Sequence, residues 1–328
     1  MKTKGLSMEI KKISEEIIKG RRLKRYEDLS LFATVDLEEL MYGADHIRKE
    51  LCGDQIELCS IINGRCGGCS EDCKFCAQSS FHHAAIEEYS FLDAEEIAAD
   101  CKKHVDKGVH RYSIVTAGRD LSGTDLIKAC CAYRKMKKEC DIDLCASHGL
   151  LSEEAFIALK ESGVTMYHEN IETSKRNFPN VCTTHTYEDK INGIKLARKF
   201  GFKICSGVII GMGETFEDRL DMAISLAELN IESIPVNVLT PIKGTSYEHL
   251  EILSENEILR AVAMFRFMNP TAKIRLAGGR NLMKDSGRQA FCSGANATIT
   301  GDYLTTSGNS IEKDKRMLIQ MGFQCCTG

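Results

Sequence analysis

The stretch Asp143-Leu144-Cys145-Ala146-Ser147, followed by Ser152 to Ser162 and then by Thr165-Met166-Tyr167-His168, reads as strand, helix, strand. Ser152 supplies the capping hydroxyl at the helix start. Short apolar runs separated by a helical pattern are the signature of a parallel strand–helix–strand unit.

The same unit recurs on both sides. Upstream, the strands Ile56–Ile62 and Arg111–Val115 alternate with helices at Asp93–Lys107 and Thr124–Glu139. Downstream come strands Lys203–Ile209, Ser233–Val238, Lys273–Leu276 and Ala297–Thr300. Helices Tyr187–Phe200, Glu214–Asn230, Glu255–Met268 and Leu282–Phe291 separate the later strands, and a last helix covers Ile311–Met321. Eight such units in series predict an α/β fold, a closed parallel (β/α)8 barrel of the TIM type. Two helices precede it, Ser7–Lys24 and Asp36–Leu51, the second capped by Asp36 with Glu39 three residues on. They form an N-terminal extension over residues 1–52, expected to cover one end of the barrel. No linker or composition break divides the chain, so one domain over 1–328 is expected.

A chain of 328 residues with 43% hydrophobic residues can bury one large core. Its net charge of -4 argues against nucleic acid as the main partner. No apolar run approaches 18 residues, so neither a membrane span nor a signal peptide is expected. Sixteen cysteines in a long chain of this kind point to a reducing, cytoplasmic setting, with some thiols on metal and others buried. Cys101, Cys130, Cys131, Cys140, Cys182 and Cys292 are read as packing or chance. Cys325-Cys326 at the end is read as an exposed tail pair.

The loop after the first strand carries Cys69-Ser70-Glu71-Asp72-Cys73-Lys74-Phe75-Cys76, a C-x3-C-x2-C run with Cys66 just upstream. Three thiolates so close can hold three irons of a [4Fe–4S] cluster and leave the fourth open to a small molecule. The alternative is a zinc site with Cys66 as fourth ligand, but no second knuckle follows. Barrel chemistry sits on loops at the strand C-termini, and this is one of them.

The run from Gly68 to Ser79, Gly-Cys-Ser-Glu-Asp-Cys-Lys-Phe-Cys-Ala-Gln-Ser, resembles the radical S-adenosylmethionine enzymes, and within them the biotin synthase family. The resemblance implies that Cys69, Cys73 and Cys76 hold the cluster and that its open iron chelates S-adenosylmethionine. Phe75 then packs beside the adenine. Gly211-Met212-Gly213-Glu214-Thr215 resembles the family's Gly-x-Gly-Glu-Thr, which implies that Gly211, Gly213 and Glu214 border the same site. In His168-Glu169-Asn170-Ile171-Glu172, Asn170 and Glu172 match the ribose-binding pair, with Glu172 where aspartate is common; His168 stands where asparagine is usual. Asn170 is also expected near the substrate. Asn237, in an otherwise apolar strand, matches the residue that bonds the ureido ring of dethiobiotin; a satisfied core amide is the alternative.

The family's auxiliary [2Fe–2S] cluster implies Cys145, Cys205 and Arg275 as ligands here. The usual fourth position is Ser113, a weak iron ligand. Cys59 lies on the first strand, whose inward side chains share a layer with the third, fifth and seventh. It is the first choice for the missing ligand and Cys66 the second; a changed ligand set could also mean a larger cluster. The implied reaction is the conversion of dethiobiotin to biotin. Reduced ferredoxin or flavodoxin supplies the electron, a 5′-deoxyadenosyl radical is generated, and sulfur comes from the auxiliary cluster. A homodimer is also implied. Another radical S-adenosylmethionine barrel and an iron–sulfur carrier remain the rival readings.

Overall fold

Alternation along 55–65 gives the longest strand, β1 (Gln55–Arg65), with Ile56, Leu58 and Ile62 directed into the protein. The computed structural model describes residues 3–302, 304 and 308–325. Strand–helix units follow in the predicted order: α4 (Ala94–Val105), β2 (Arg111–Thr116), α5 (Gly123–Glu139), β3 (Asp143–Ser147), α6 (Glu153–Glu161) and β4 (Met166–His168). After the short α7 (Phe178–Val181) come α8 (Tyr187–Lys199), β5 (Lys203–Cys205), β6 (Val208–Ile210), α9 (Phe216–Glu228) and β7 (Ser233–Val238). The chain closes with α10 (Glu255–Met268), β8 (Lys273–Leu276), α11 (Arg288–Phe291), β9 (Ala297–Ile299), α12 (Ile311–Gln320) and β10 (Gln324–Cys325). All ladders are parallel, and β9 pairs back onto β1 through Glu57–Ala297 and Cys59–Ile299. That pairing makes the sheet a closed eight-staved (β/α)8 barrel.

Four expectations change. The fifth stave is one predicted strand but two observed ones, β5 and β6, broken at Ser206-Gly207. A Cβ on Gly207 would sit 1.9 Å from the Pro235 carbonyl oxygen, so only glycine lets β7 lie this close. The helix predicted at Leu282–Phe291 forms only its last turn, α11. Asp285 and Ser286 turn left-handed, with φ of 48° and 57°, and break it. The extension, α1 (Thr3–Ile18), α2 (Leu31–Thr34) and α3 (Leu37–Cys52), packs on the wall rather than over an end: α1 lies on α3 and α3 on α10. Asp36 caps α3 as expected, accepting from the Glu38 and Glu39 amides at 2.9 and 3.2 Å. Cys325 lies in β10 beside the start of β1 rather than in a free tail, and Cys326 lies outside the described residues. No helix among the described residues is long and apolar enough to cross a membrane.

Two buried side chains lock the outer layer to the barrel. Arg266 on α10 is fully buried, and burial pushes its pKa down to about 10. Its guanidinium donates to the carbonyls of Gly294, Pro270 and Ala272 at 2.8–3.0 Å and to Asn296 Oδ1 at 2.7 Å. Asp218 on α9 closes a capping box with Thr215 and also accepts from Ser174 Oγ at 2.6 Å and Arg176 Nε at 3.0 Å. It therefore ties the turn before α9 to the segment after β4. Burial raises its carboxyl, but Arg176, Ser174 and Thr215 outweigh it and hold the pKa at about 2.

Arg266→Met should lower the stability of the metal-free chain by at least about 3 kcal/mol in urea unfolding, because several buried carbonyls lose their donor at once. Asp218→Asn should cost about 1–2 kcal/mol at pH 7, since the folded value lies below the unfolded one of about 3.9. The carboxylate's contribution is full above about pH 4 and disappears as pH falls through about 2. The gap between wild type and variant should therefore narrow from pH 5 to pH 2.5; a constant gap would show that charge is not the cause.

Candidate active site

Two sulfur-bearing levels lie along the barrel. The upper one is the loop after β1. Its backbone folds back on itself: Ser80 donates to Cys69 through both its amide and its hydroxyl, each at 2.8 Å, and the Cys76 amide donates to the Cys73 carbonyl at 2.9 Å. Gly67 and Gly68 turn the chain at φ of 81° and 62°. Cys69 is buried and Cys73 and Cys76 are partly exposed, and none of the described cysteines forms a disulfide. Burial pushes the Cys76 thiol up to about 11. Tetrahedral zinc at ~2.3 Å from each sulfur needs thiolates ~3.8 Å apart. The three loop sulfurs are not gathered that tightly; the one tight trio of donors among the described residues is Cys73, Cys182 and His185. The loop therefore suits a cluster, with one thiolate per iron, better than a single ion.

The acidic pair inside the run anchors it. Asp72 accepts from the amides of Thr183 and Thr184 at 2.8 and 3.2 Å, and Glu71 from Thr184 Oγ1 at 2.8 Å and from His185. The Lys74 amide reaches the Val181 carbonyl at 3.0 Å. The cluster loop is thus fastened to the segment between α7 and α8. Cys182, read from sequence as packing, stands beside Cys73. Their shared hydrogen bond holds the Cys73 thiol up and draws the Cys182 thiol down.

Residues matched to S-adenosylmethionine gather around this loop. Phe75 packs on Val181, Met212 and Leu239, so it meets the Gly211–Gly213 turn. Gly211 and Gly213 take φ of 97° and 85°. Glu214 turns inward: it accepts from the Gly211 and Met212 amides at 2.7 Å each and from Arg219 Nε at 2.8 Å. It shapes the turn. Asn170 accepts from the Gly207 amide at 2.9 Å and lies 3.4 Å from Glu172. Glu172 holds a left-handed φ of 62°, a strained conformation for a residue with a side chain. Burial raises its carboxyl despite Lys190 and His168 nearby. Lys190, which the sequence did not single out, reaches in from α8 to Glu169 at 2.5 Å. Asn237 donates to the Val208 carbonyl at 3.0 Å and accepts from the Gly278 amide at 2.9 Å. That leaves one N–H and one lone pair for a ligand.

The lower level sits inside the barrel. Cys59 on β1, Cys145 on β3, Cys205 on β5 and Arg275 on β8 are all buried. Burial pushes Cys59 up to about 11, against the pull of Arg275 and Arg111, with Cys205 also in range. Burial likewise raises Cys145, which feels both Cys205 and Cys59. Burial opposes the Cys205 thiolate too, but the charge and hydrogen bond of His168, helped by Arg275, outweigh it and lower it. His168, which pairs with Cys205 across the ladder, is thus a partner of the sulfur layer. Ser113 pairs across the ladder with Cys145 and bonds to its sulfur. Cys66 faces Asn63 and Glu87–Glu88 and touches none of this layer. Beneath it, Glu57 pairs with Arg275, Arg111 and Lys273. Burial would raise this carboxyl, but the three cations hold it well below the usual range. Arg111 Nη1 is buried without a hydrogen-bond partner. Three buried thiols, two arginines and an orphaned guanidinium nitrogen fit an anionic iron–sulfur group.

Residues 65–226 match the Radical SAM superfamily, and residues 235–324 match the Biotin and Thiamin Synthesis associated domain. The biotin synthase of Alkaliphilus metalliredigens is 77% identical over 96% of this chain and 99% of its own. That of Clostridium beijerinckii is 61% identical over 96% and 99%. Among solved structures, methylornithine synthase (PylB) superposes with a TM-score of 0.84 at 20% identity, over 96% of this chain and 97% of that one. The [FeFe]-hydrogenase maturase HydG superposes at 0.80 and 17%, over 98% and 77%. At those identities the structures speak for the fold alone, whereas the two sequence relatives fix the lineage: the chain belongs to the biotin synthase family of the radical SAM superfamily.

Proposed function

We propose that the chain converts dethiobiotin to biotin by radical insertion of sulfur. The observation that carries this reading is the second, buried sulfur layer lying under the first within one barrel. When bound, the [4Fe–4S] cluster and S-adenosylmethionine supply a 5′-deoxyadenosyl radical, and the auxiliary cluster supplies sulfur.

The chain's own residues do the positioning. Cys69, Cys73 and Cys76 hold the upper cluster, and Phe75 with the Gly211–Gly213 turn walls the adenine. Asn170 and Glu172 take the ribose hydroxyls; a carboxylate accepts both. Asn237 presents its remaining N–H and lone pair to the ureido ring, with Asn170 close to the same substrate. Cys59, Cys145, Cys205 and Arg275 hold the lower cluster, because Ser113 is engaged with the Cys145 sulfur and Cys66 faces elsewhere. The enclosing barrel keeps a reactive radical away from other hydrogens. We further propose a single domain over 1–328 with 1–52 as its extension, working in the cytoplasm as a homodimer with a ferredoxin or flavodoxin reductant.

Anaerobic reconstitution followed by assay with S-adenosylmethionine and dethiobiotin tests the reading. Alanine at Cys69, Cys73 or Cys76 should abolish 5′-deoxyadenosine formation; its survival in the triple variant would sink the cluster assignment. Cys59→Ala should lose auxiliary iron and sulfide and stop biotin formation while S-adenosylmethionine cleavage continues, and Cys66→Ala should do none of this. Full iron content and normal biotin yield in Cys59→Ala would refute that ligand. Asn237→Ala should weaken dethiobiotin binding by about 1–3 kcal/mol and S-adenosylmethionine binding by less. Equal weakening would place Asn237 outside the substrate pocket.

A further inference from the structure

Cys73, Cys182 and His185 bring two sulfurs and an imidazole nitrogen within 4.8 Å of one another. Cys182 Sγ lies 3.3 Å from His185 Nδ1 and 3.1 Å from Asp72 Oδ1. The donors come from two segments that the Asp72–Thr183 and Lys74–Val181 hydrogen bonds already hold together. The arrangement is therefore fixed before any metal arrives. His185 is buried, and its Nε2 has no hydrogen-bond partner. Its Nδ1 is shared with Glu71, a carboxylate that also has Arg119 at 3.3 Å and Thr184 at 2.8 Å and so keeps partners when Nδ1 turns to a metal.

We infer that Cys73, Cys182 and His185 form a mononuclear site for a thiolate-preferring divalent metal, filled in the chain before its upper cluster is built. Two thiolates and an imidazole are a donor set that Zn2+, Fe2+ and Co2+ accept in tetrahedral form, with Asp72 at hand for the fourth place. Two thiolates and a carboxylate supply the negative charge that a dication neutralises. Cys73 also belongs to the C-x3-C-x2-C run, so it cannot serve both groups at once. The mononuclear site is then a waiting position: the metal held there leaves Cys182 and His185 when Cys73 joins the cluster. The step moves ligands only and needs no electron donor.

Cobalt is the probe, because its tetrahedral thiolate complexes absorb visibly. The full-length chain, stripped of iron by chelation under anaerobic reducing conditions, is titrated with Co2+. The decisive background is Cys69→Ala/Cys76→Ala, which removes the other two loop thiols and leaves the proposed donors. There the chain should bind one Co2+ with sulfur-to-cobalt charge transfer and tetrahedral d–d bands. Adding Cys182→Ala or His185→Ala should weaken that binding at least about tenfold. Adding Cys182→Ser, the gentler change, should roughly halve the charge-transfer intensity while far-ultraviolet circular dichroism stays unchanged. Absence of a thiolate–cobalt band in the double variant, or its persistence at full intensity after Cys182→Ser, would overturn the site. The measurement uses neither S-adenosylmethionine nor dethiobiotin, so it stands or falls apart from the activity proposed above.

Discussion

One buried carboxylate governs the lower half of the barrel. Glu57 enters from β1 and meets Arg111 from β2 and Arg275 and Lys273 from β8. A lone carboxylate there would be expensive, and so would the two arginines without it. Together they span the point where the sheet closes and keep two guanidinium groups beneath a layer of thiols. Two of those thiols, Cys59 and Cys145, are hard to ionise in a dry interior. The arginines supply the compensating charge. The ion cluster thus serves closure of the sheet and the electrostatics of the sulfur layer at once.

At the mouth the design is different. Charged side chains there mostly fasten backbone to backbone. Glu71 and Asp72 fasten the cluster loop to the segment at Thr183–His185, Glu214 fastens its own turn, and Asp218 fastens the two turns beside it. What remains for a ligand is small and specific: the spare valences of Asn237, the raised carboxyl of Glu172 and the face of Phe75. The left-handed backbone at Glu172 indicates that its placement is held by the surroundings against a local cost.

Most of the barrel was legible because strand and helix periodicities are local. The strands at 143–147, 233–238 and 273–276 and the helix at 255–268 run between the residues expected. The break at Ser206-Gly207 was not legible, since it depends on the approach of β7, a neighbour remote in sequence. The helix at 282–291 failed because Asp285 and Ser286 took left-handed angles that neither residue type demands. Of the site, spacing and resemblance pointed to residues that the barrel gathers on two levels, with Cys59 buried near Cys145 and Cys205. Those whose meaning lies in a partner were missed. Glu57 looks like any charged strand residue until its three cations are seen. Cys182 and His185 lie more than a hundred residues from Cys73, and His168 and Lys190 carry no pattern of their own. Such contacts exist only after closure.

The break in the fifth stave also creates a natural reporter. Register between the fifth stave and β7 is unchanged across it, yet the Gly207 amide donates to the side chain of Asn170 and not to a neighbouring strand. The neighbouring amides of Ile171, Ser206 and Ile209 bond backbone carbonyls and fall silent in solvent-exchange experiments while the barrel stays closed. This one hydrogen lasts only as long as Asn170 stays turned inward. Its rate of exchange with deuterium is therefore a clock for what happens at the mouth, read at one atom inside an otherwise quiet sheet.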